Sequence, residues 1–347
     1  MAGARKEGGG VGRMRRLLAF TLLTFLVACT SRNLFMNGAK IVVSSFQGET
    51  TISPLQVIAD EDYLMGATEV HPCGESYVIR YVKKPYHYGL YSPGKKTLQP
   101  LLLSGRGRNE MILSSTVAIK QAGGVNILSS FDISTSSLKE IDILESARSG
   151  SAHILDARQI AQNSNKVFEL EDNKYLCQTL FGENGFSYIV SDSDNNVIEK
   201  YEIFGTGEHT EDYSFFSSAD CLKLDGTRIA MCMRSLNKIN VLGLNGNESY
   251  SIVTNRKEKK QNDLDEWRAG SEREQQNFYI SSDCTDTHIY ALYSPGDEIR
   301  VFDWSGKHEW RYKINNRLKY IRLSQDGHFL LGLSPEEIIY VYELNEW

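Results

Sequence analysis

Cys29 is the side chain whose setting points most directly to a reaction. It closes the run Leu26-Val27-Ala28-Cys29, behind Arg13, Arg15, Arg16 and the apolar segment Leu17 to Val27. A thiol placed after small residues, at the end of a short hydrophobic stretch, suits lipid transfer and cleavage by a lipoprotein signal peptidase. The cysteine is then acylated and becomes the first residue of the mature chain. Five other side chains carry chemistry of a looser kind. Arg106, Arg108, Glu208, His209 and Asp212 sit on two glycine-containing loops that begin at Gly105 and Gly205. Charges that line a concave mouth capture a polar ligand or a partner.

Other segments imitate known chemistry. Asp192-Ser-Asp-Asn-Asn opens like a calcium loop, in which alternate oxygen side chains point inward. Its sixth position is Val197 in place of glycine and its twelfth is Ile203 in place of glutamate, so a hairpin turn explains it better. No metal site is expected. Gly105-Arg-Gly-Arg-Asn-Glu resembles a phosphate-cradling loop, but such loops feed a helix N-terminus and β-type sequence follows here. Its glycines are expected to supply positive φ in a turn. HExxH, GxSxG and Walker patterns are absent, and the seven histidines are scattered. A site assembled from distant elements needs no local motif. A hydrolase or lyase acting on carbohydrate or peptide therefore stays open beside a non-enzymatic binding or scaffolding role. No cofactor is expected.

The elements that must position these residues begin with the ends of the chain. Residues 1–29 read as a lipoprotein signal peptide, with Met14 the better natural start, and residues 30–39 as a short tether. A spanning helix needs about twenty apolar residues, and Leu17 to Val27 is too short to stay in a bilayer. The tether reaches roughly 33 Å when extended, which keeps the folded body near the membrane. Thr30 lacks the aspartate linked to inner-membrane retention, and Ser31-Arg-Asn-Leu lacks an acidic export run. The expected location is the outer membrane, facing the periplasm. Residues 1–28 carry five basic side chains and Glu7, so their removal takes the net charge from −6 to −10. An acidic body has no electrostatic footprint for nucleic acid. The basic cluster Arg256 to Lys260 is followed by Asp263, Asp265 and Glu266 and reads as a solvated loop. Beyond Cys29 lie Cys73, Cys177, Cys221, Cys232 and Cys284, an odd set without CxxC that forms no disulfide framework.

Residues 40–347 repeat. Asp225-Gly226 and Asp326-Gly327 are turns between apolar runs, and further turns recur at Asn195-Asn196, Asn245-Gly246 and Ser305-Gly306. Between them the runs are short, β-branched or aromatic, as in His288-Ile-Tyr-Ala-Leu-Tyr and Glu298-Ile-Arg-Val-Phe-Asp. A unit of about fifty residues holding four meandering strands predicts a β-propeller of six blades. The last unit shows three strands, so Lys40-Ile-Val-Val-Ser-Ser-Phe is expected to supply the fourth and clasp the ring. Leu138 to Ile160 is ambiguous between strand and helix. In such a ring Arg106, Arg108, Glu208, His209 and Asp212 would surround one channel mouth.

With these residues in place, the chain resembles the TolB-like six-bladed propeller lipoproteins of diderm, Bacteroides-type bacteria. The resemblance rests on Leu26 to Cys29, on the Gly105 to Glu110 junction, on Ile299 through Tyr312, and on Gly332-Leu-Ser-Pro-Glu-Glu-Ile-Ile-Tyr-Val-Tyr-Glu-Leu. It covers Lys40 to Leu344, and departs from the commoner glycine-proline-glycine-glutamate junction at Arg108 and Asn109. It implies an all-β fold, and the broad loop-built face of a rigid ring offers a surface for a protein or glycan partner. It implies no catalytic set.

Overall fold

A computed structural model describes residues 40–161, 163–179, 186–203, 215–254 and 276–344. Two strands and a single helical turn precede the repeats: β1 (Lys40–Ile52), β2 (Gln56–Ile58) and α1 (Glu61–Leu64). The first antiparallel meander is β3 (Ala67–Cys73), β4 (Ser76–Tyr81), β5 (Tyr86–Ser92) and β6 (Thr97–Ser104), with the short β7 (Glu110–Met111) parallel to β6 at its edge. The next is β8 (Ser114–Ala122), β9 (Val125–Asp132), β10 (Ser137–Asp142) and, after α2 (Ile143–Ser149), β11 (His153–Gln159). Then follow β12 (Ser164–Glu169), β13 (Tyr175–Thr179), β14 (Ser187–Ser191) and β15 (Val197–Glu202). After these come β16 (Ser218–Leu222), β17 (Arg228–Met233), β18 (Lys238–Gly243) and β19 (Tyr250–Thr254). The chain ends with β20 (Tyr279–Cys284), β21 (His288–Tyr293), β22 (Glu298–Asp303), β23 (His308–Ile314), and then β24 (Tyr320–Leu323), β25 (Phe329–Leu333) and β26 (Ile339–Glu343).

Local chemistry sets the strand ends. At the two Asp-Gly turns the glycine takes positive φ, +67° at Gly226 and +75° at Gly327, which an L side chain resists. The preceding aspartate then accepts the next backbone N–H, Thr227 N at 2.9 Å and His328 N at 3.1 Å. The ambiguous segment after Leu138 is both strand and helix. Asp142 caps α2 by accepting Glu145 N at 2.9 Å, and Gly150 at φ +69° ends it. Helix α2 buries Ile143, Ser146 and Ala147 before β11 resumes the meander.

The N-terminal strands differ from expectation. Lys40 to Phe46 does not complete the last sheet. Instead β1 runs parallel to β19 through Lys40 to Ser44 and then parallel to β23 through Ser45 to Ile52, joining two meanders into one nine-stranded sheet. The handover falls between Ser44 and Ser45, and the register against β23 then shifts between Phe46 and Gly48, where a Cβ at Gly48 would meet the Trp310 ring. It is β2 that becomes the fourth strand of the last sheet, Gln56 opposite Val341 and Ile58 opposite Ile339. The reason is length: β1 is too long for one strand edge and is used up along the outer edges of two. Beyond the connection Ser53-Pro54-Leu55, Gln56 to Ile58 are left to pair with β26.

Apolar packing lies between neighbouring sheets. Leu128, Ile141 and Ile143 pack on Tyr88, Leu101 and Leu102 of the first meander. Phe131 and Leu138 pack on Val167 and Cys177, and Leu176 and Tyr188 on Ile229 and Met231. Ile239 and Ile252 meet Ile289 and Phe302, and Ile299 and Tyr312 meet Ile321 and Leu330. The series returns to its start, because Leu331, Leu333 and Ile339 of the last sheet pack against Val70, Ile79 and Tyr91 of the first. Sheets packed face to face in a cyclic series are a propeller-type arrangement.

Candidate binding cavity

The first strands of the meanders, β3, β8, β12, β16, β20 and β24, all contribute side chains to one cavity of about 610 Å³. That is within the size range of small-molecule sites. The third residue of each of these strands is polar: Glu69, Thr116, Lys166, Asp220, Ser281 and Arg322, and each lines the cavity. Alternation along a strand explains this, since the residues between them turn into the sheet-to-sheet packing.

Adjacent first strands are tied by polar bonds all the way round. Thr116 Oγ1 donates to Glu69 Oε2 at 2.7 Å, and Lys120 Nζ on β8 reaches Glu169 Oε2 on β12 at 2.6 Å. Lys166 Nζ donates to Asp220 Oδ2 at 2.6 Å and to the Ser218 carbonyl at 2.7 Å. Cys284 Sγ lies 3.0 Å from the Leu222 carbonyl. Ile321 N donates to Ser281 Oγ at 3.2 Å and Leu323 N to Asp283 Oδ2 at 2.7 Å. The Tyr320 hydroxyl lies 3.4 Å from His71 Nε2, which returns to β3.

Glu69 is held by three side chains, His71, Arg80 and Thr116. Burial works to raise its pKa, but the His71 hydrogen bond, the Arg80 charge at 2.6 Å and the Thr116 hydroxyl outweigh it and lower the value to about 2. Arg80 also donates to the Ser114 carbonyl. Burial lowers the pKa of His71, against the opposing pull of Glu69, so the ring is neutral. Because ionised Glu69 can only accept, the proton of His71 sits on Nε2, 3.2 Å from Glu69 Oε2. His71 Nδ1 is therefore a bare acceptor, buried and without a partner. Asp220 is similar. Lys166, Gln178 Nε2 at 3.0 Å and the Tyr188 hydroxyl at 2.8 Å all donate to Oδ2, while Oδ1 has no partner. Burial and the Asp220 charge push the Tyr188 phenol well up.

The residues singled out in the sequence fall differently. Arg106 and Arg108 are exposed in the loop between β6 and β7 and are not among the residues lining the cavity. Glu208, His209, Asp212 and Cys29 lie outside the described residues. Gly105 and Gly107 lack positive φ. They make room for Glu110, whose carboxylate accepts Gly107 N at 2.7 Å and would lie 2.0 Å from a Cβ at Gly105. The loop thus fills its own anion-like receptor with Glu110. Asp192 accepts Asp194 N and Asn196 N at 2.9 Å, with Asn195 at φ +65°, as in a hairpin turn. Among the described residues no group of three or more His, Cys, Asp or Glu is arranged to hold a metal ion. Nor is any described helix long and apolar enough to cross a membrane. The cavity-wall residues themselves escaped sequence reasoning. The available signal was the polar third position recurring in the first strand of each unit.

No protein-family model matches the sequence, and no curated protein matches it. Solved structures do. A crystal structure of an exported protein from Bacteroides fragilis matches with a TM-score of 0.52 at 13% identity, covering 88% of this chain and 100% of that one. A chain of the mitotic checkpoint complex matches at 0.48 and 9% identity, over 85% of this chain and 93% of its own. The Pan2 WD40 domain of Neurospora crassa matches at 0.44 and 9% identity, over 81% and 76%. At such identities the first likeness speaks for the fold alone.

Proposed function

We propose that this chain is a six-bladed, TolB-like β-propeller, anchored by lipid on Cys29 to the outer membrane and facing the periplasm. There it acts as a binding or scaffolding module for a protein or glycan. The observation that carries the reading is the state of the cavity carboxylates. Glu69 is held by Arg80, Asp220 by Lys166, Glu169 by Lys120 and Asp283 by Arg322 at 3.5 Å. Glycoside chemistry needs a carboxyl whose pKa is raised so that it can donate a proton, beside a second that stays ionised. Glu69 is driven the other way. A wall of paired charges on rigid strands suits recognition, because its groups are already oriented and lose little on binding. The exported character of the Bacteroides fragilis neighbour fits the periplasmic assignment.

Affinity capture from membranes, with the intact lipidated protein as bait, tests the proposal. A partner retained through washing, with no turnover of a glycan library, is the expected result. Turnover with no retained partner would replace binding by hydrolase or lyase activity. Mass spectrometry of the mature N-terminus tests the anchor: a diacylglyceryl thioether on Cys29 is expected, and an unmodified thiol would remove it from the proposal.

A further inference from the structure

The cavity has two ends, and they differ in charge compensation. Strands β20 and β24 run side by side in step, Ser281 beside Ile321 and Asp283 beside Leu323. Lys319 immediately precedes β24. Arg234 immediately follows β17, which is antiparallel to β16, and its N–H donates to the Ser217 carbonyl at 2.9 Å beside the start of β16. Both cations therefore stand at the end where the first strands begin, on either side of β20. Both line the cavity. Arg80, Lys166 and Arg322 of the same wall have carboxylate partners, and so does Lys223, through Asp225. Among the described residues Arg234 and Lys319 have none. Desolvation by the walls lowers the pKa of each, against the charges of Asp220 on Arg234 and of Glu337 and Glu336 on Lys319.

A second observation lies just inside this mouth. Ser218, the first residue of β16, is 6% exposed, and its hydroxyl has no partner. Asp220 Oδ1 and His71 Nδ1 are also unsatisfied, and both are acceptors. Buried acceptors without donors are costly unless a bound molecule or water supplies the hydrogen. The wall thus offers unpaired positive charge at the rim and waiting acceptors deeper in. A molecule that matches both carries an acid group at one end and hydroxyls along the rest.

We propose that this mouth is a binding site for a small polyhydroxy carboxylate, with its acid group held by Arg234 and Lys319 and its hydroxyls by Ser218 and Asp220 Oδ1. This rests on the reading of the chain as a binding module, and narrows what the cavity itself accepts. The net negative charge of the whole chain makes the local cation pair selective, because an anion is drawn to this mouth and repelled elsewhere.

Isothermal titration of the full chain in detergent separates the two chemical requirements. The probes are gluconate, sorbitol (the same hydroxylated chain without the acid), acetate (the acid without the hydroxyls) and inorganic phosphate. Gluconate is expected to bind at least tenfold more tightly than each of the others. The doubly substituted Arg234→Gln, Lys319→Gln protein should lose at least tenfold in gluconate affinity, while Arg148→Gln, at an exposed side chain of α2 away from the cavity, binds as the parent does. Gluconate no tighter than sorbitol or phosphate would overturn the proposal, as would a double variant that binds unchanged. Membrane capture of a partner by that double variant, with gluconate binding absent from both proteins, would sink this site and leave the module reading intact.

Discussion

Lys166 Nζ stands 2.6 Å from Asp220 Oδ2, across the gap between the first strands of two neighbouring sheets. The Asp220 side chain is 0% exposed, whereas that of Lys166 is 31% exposed. The pair is therefore asymmetric: the lysine can reach water, and the carboxylate cannot. Lys166→Met leaves Asp220 charged and buried, with only Gln178 and Tyr188 as donors, and should cost about 3–5 kcal/mol. Asp220→Asn leaves an ammonium that still reaches water and should cost about 1–2 kcal/mol. Urea unfolding of both variants at neutral pH checks the order, and equal losses would refute the asymmetry.

Acid stability should follow Glu69. Its pKa falls from 4.5 to about 2 on folding, so its contribution is complete above 4.5 and is lost as pH falls from 4.5 toward 2. The shift is worth about 3 kcal/mol at neutral pH, and about 2 kcal/mol of it is gone by pH 3. The loss in unfolding free energy between pH 7 and pH 3 should therefore be about 2 kcal/mol smaller in Glu69→Gln than in the parent.

His71 adds a slope at higher pH, of the same sign. Its folded pKa lies below the ordinary 6.5, so the unfolded chain binds a proton first and stability declines as pH drops below 6.5. The groups facing it are Glu69, Tyr320, Arg322 and Asp283. His71→Phe should flatten the stability profile between pH 7 and pH 5, and should also shrink the Glu69 limb below it, because the His71 hydrogen bond that helps to lower the Glu69 pKa is lost.

Much of this architecture was legible in turn chemistry and strand period. The runs His288 to Tyr293 and Glu298 to Asp303 are strands β21 and β22, because β-branched and aromatic residues alternate between turns that need positive φ. Tyr-Ser-Pro-Gly occurs twice, from Tyr91 and from Tyr293, and the copies fall at different turns, one at the end of the third strand β5 and the other at the end of the second strand β21. What resisted reading was pairing partner. Lys40 to Phe46 has the composition of a closing strand, but composition does not say which edge a strand joins, and both β19 and β23 were open. The cavity was hidden for a related reason. Glu69, Lys166 and Asp220 each look like an ordinary solvent-facing residue of an amphipathic strand, and become an inner wall only when the sheets are arranged about an axis.

Gly296 governs the approach to the cationic mouth. It takes φ +109°, and a Cβ there would lie 2.1 Å from the Leu318 carbonyl, a backbone atom that cannot swing aside. The close approach is used, because Leu318 N donates to the Gly296 carbonyl at 2.7 Å and Lys319 is the next residue. Gly296→Ala combines backbone strain with a main-chain clash and should destabilise the fold by about 2–4 kcal/mol. Gly66→Ala is the matched comparison, at φ +84° with open space around the new methyl, and should cost about 1–2 kcal/mol. Thermal unfolding of the two proteins measures the difference that close approach adds to φ strain.

The two N-terminal strands make separable contributions to closure. Replacing Gln56-Val-Ile with Gly-Ser-Gly removes Ile58, 6% exposed in the core shared by the last and first sheets, and weakens the pairing that covers β26. Hydrogen exchange should then quicken at Ile339 to Glu343, and the bared edge should pair with other copies into concentration-dependent oligomers. Deleting Lys40 to Phe46 instead uncovers β19 and the start of β23, so exchange should quicken at Tyr250 to Thr254 and His308 to Glu309 while β26 stays protected. The contrast is between different edges of one molecule, so a general loss of stability cannot mimic it. Equal exchange at β26 in both proteins would mean that the last sheet does not depend on β2.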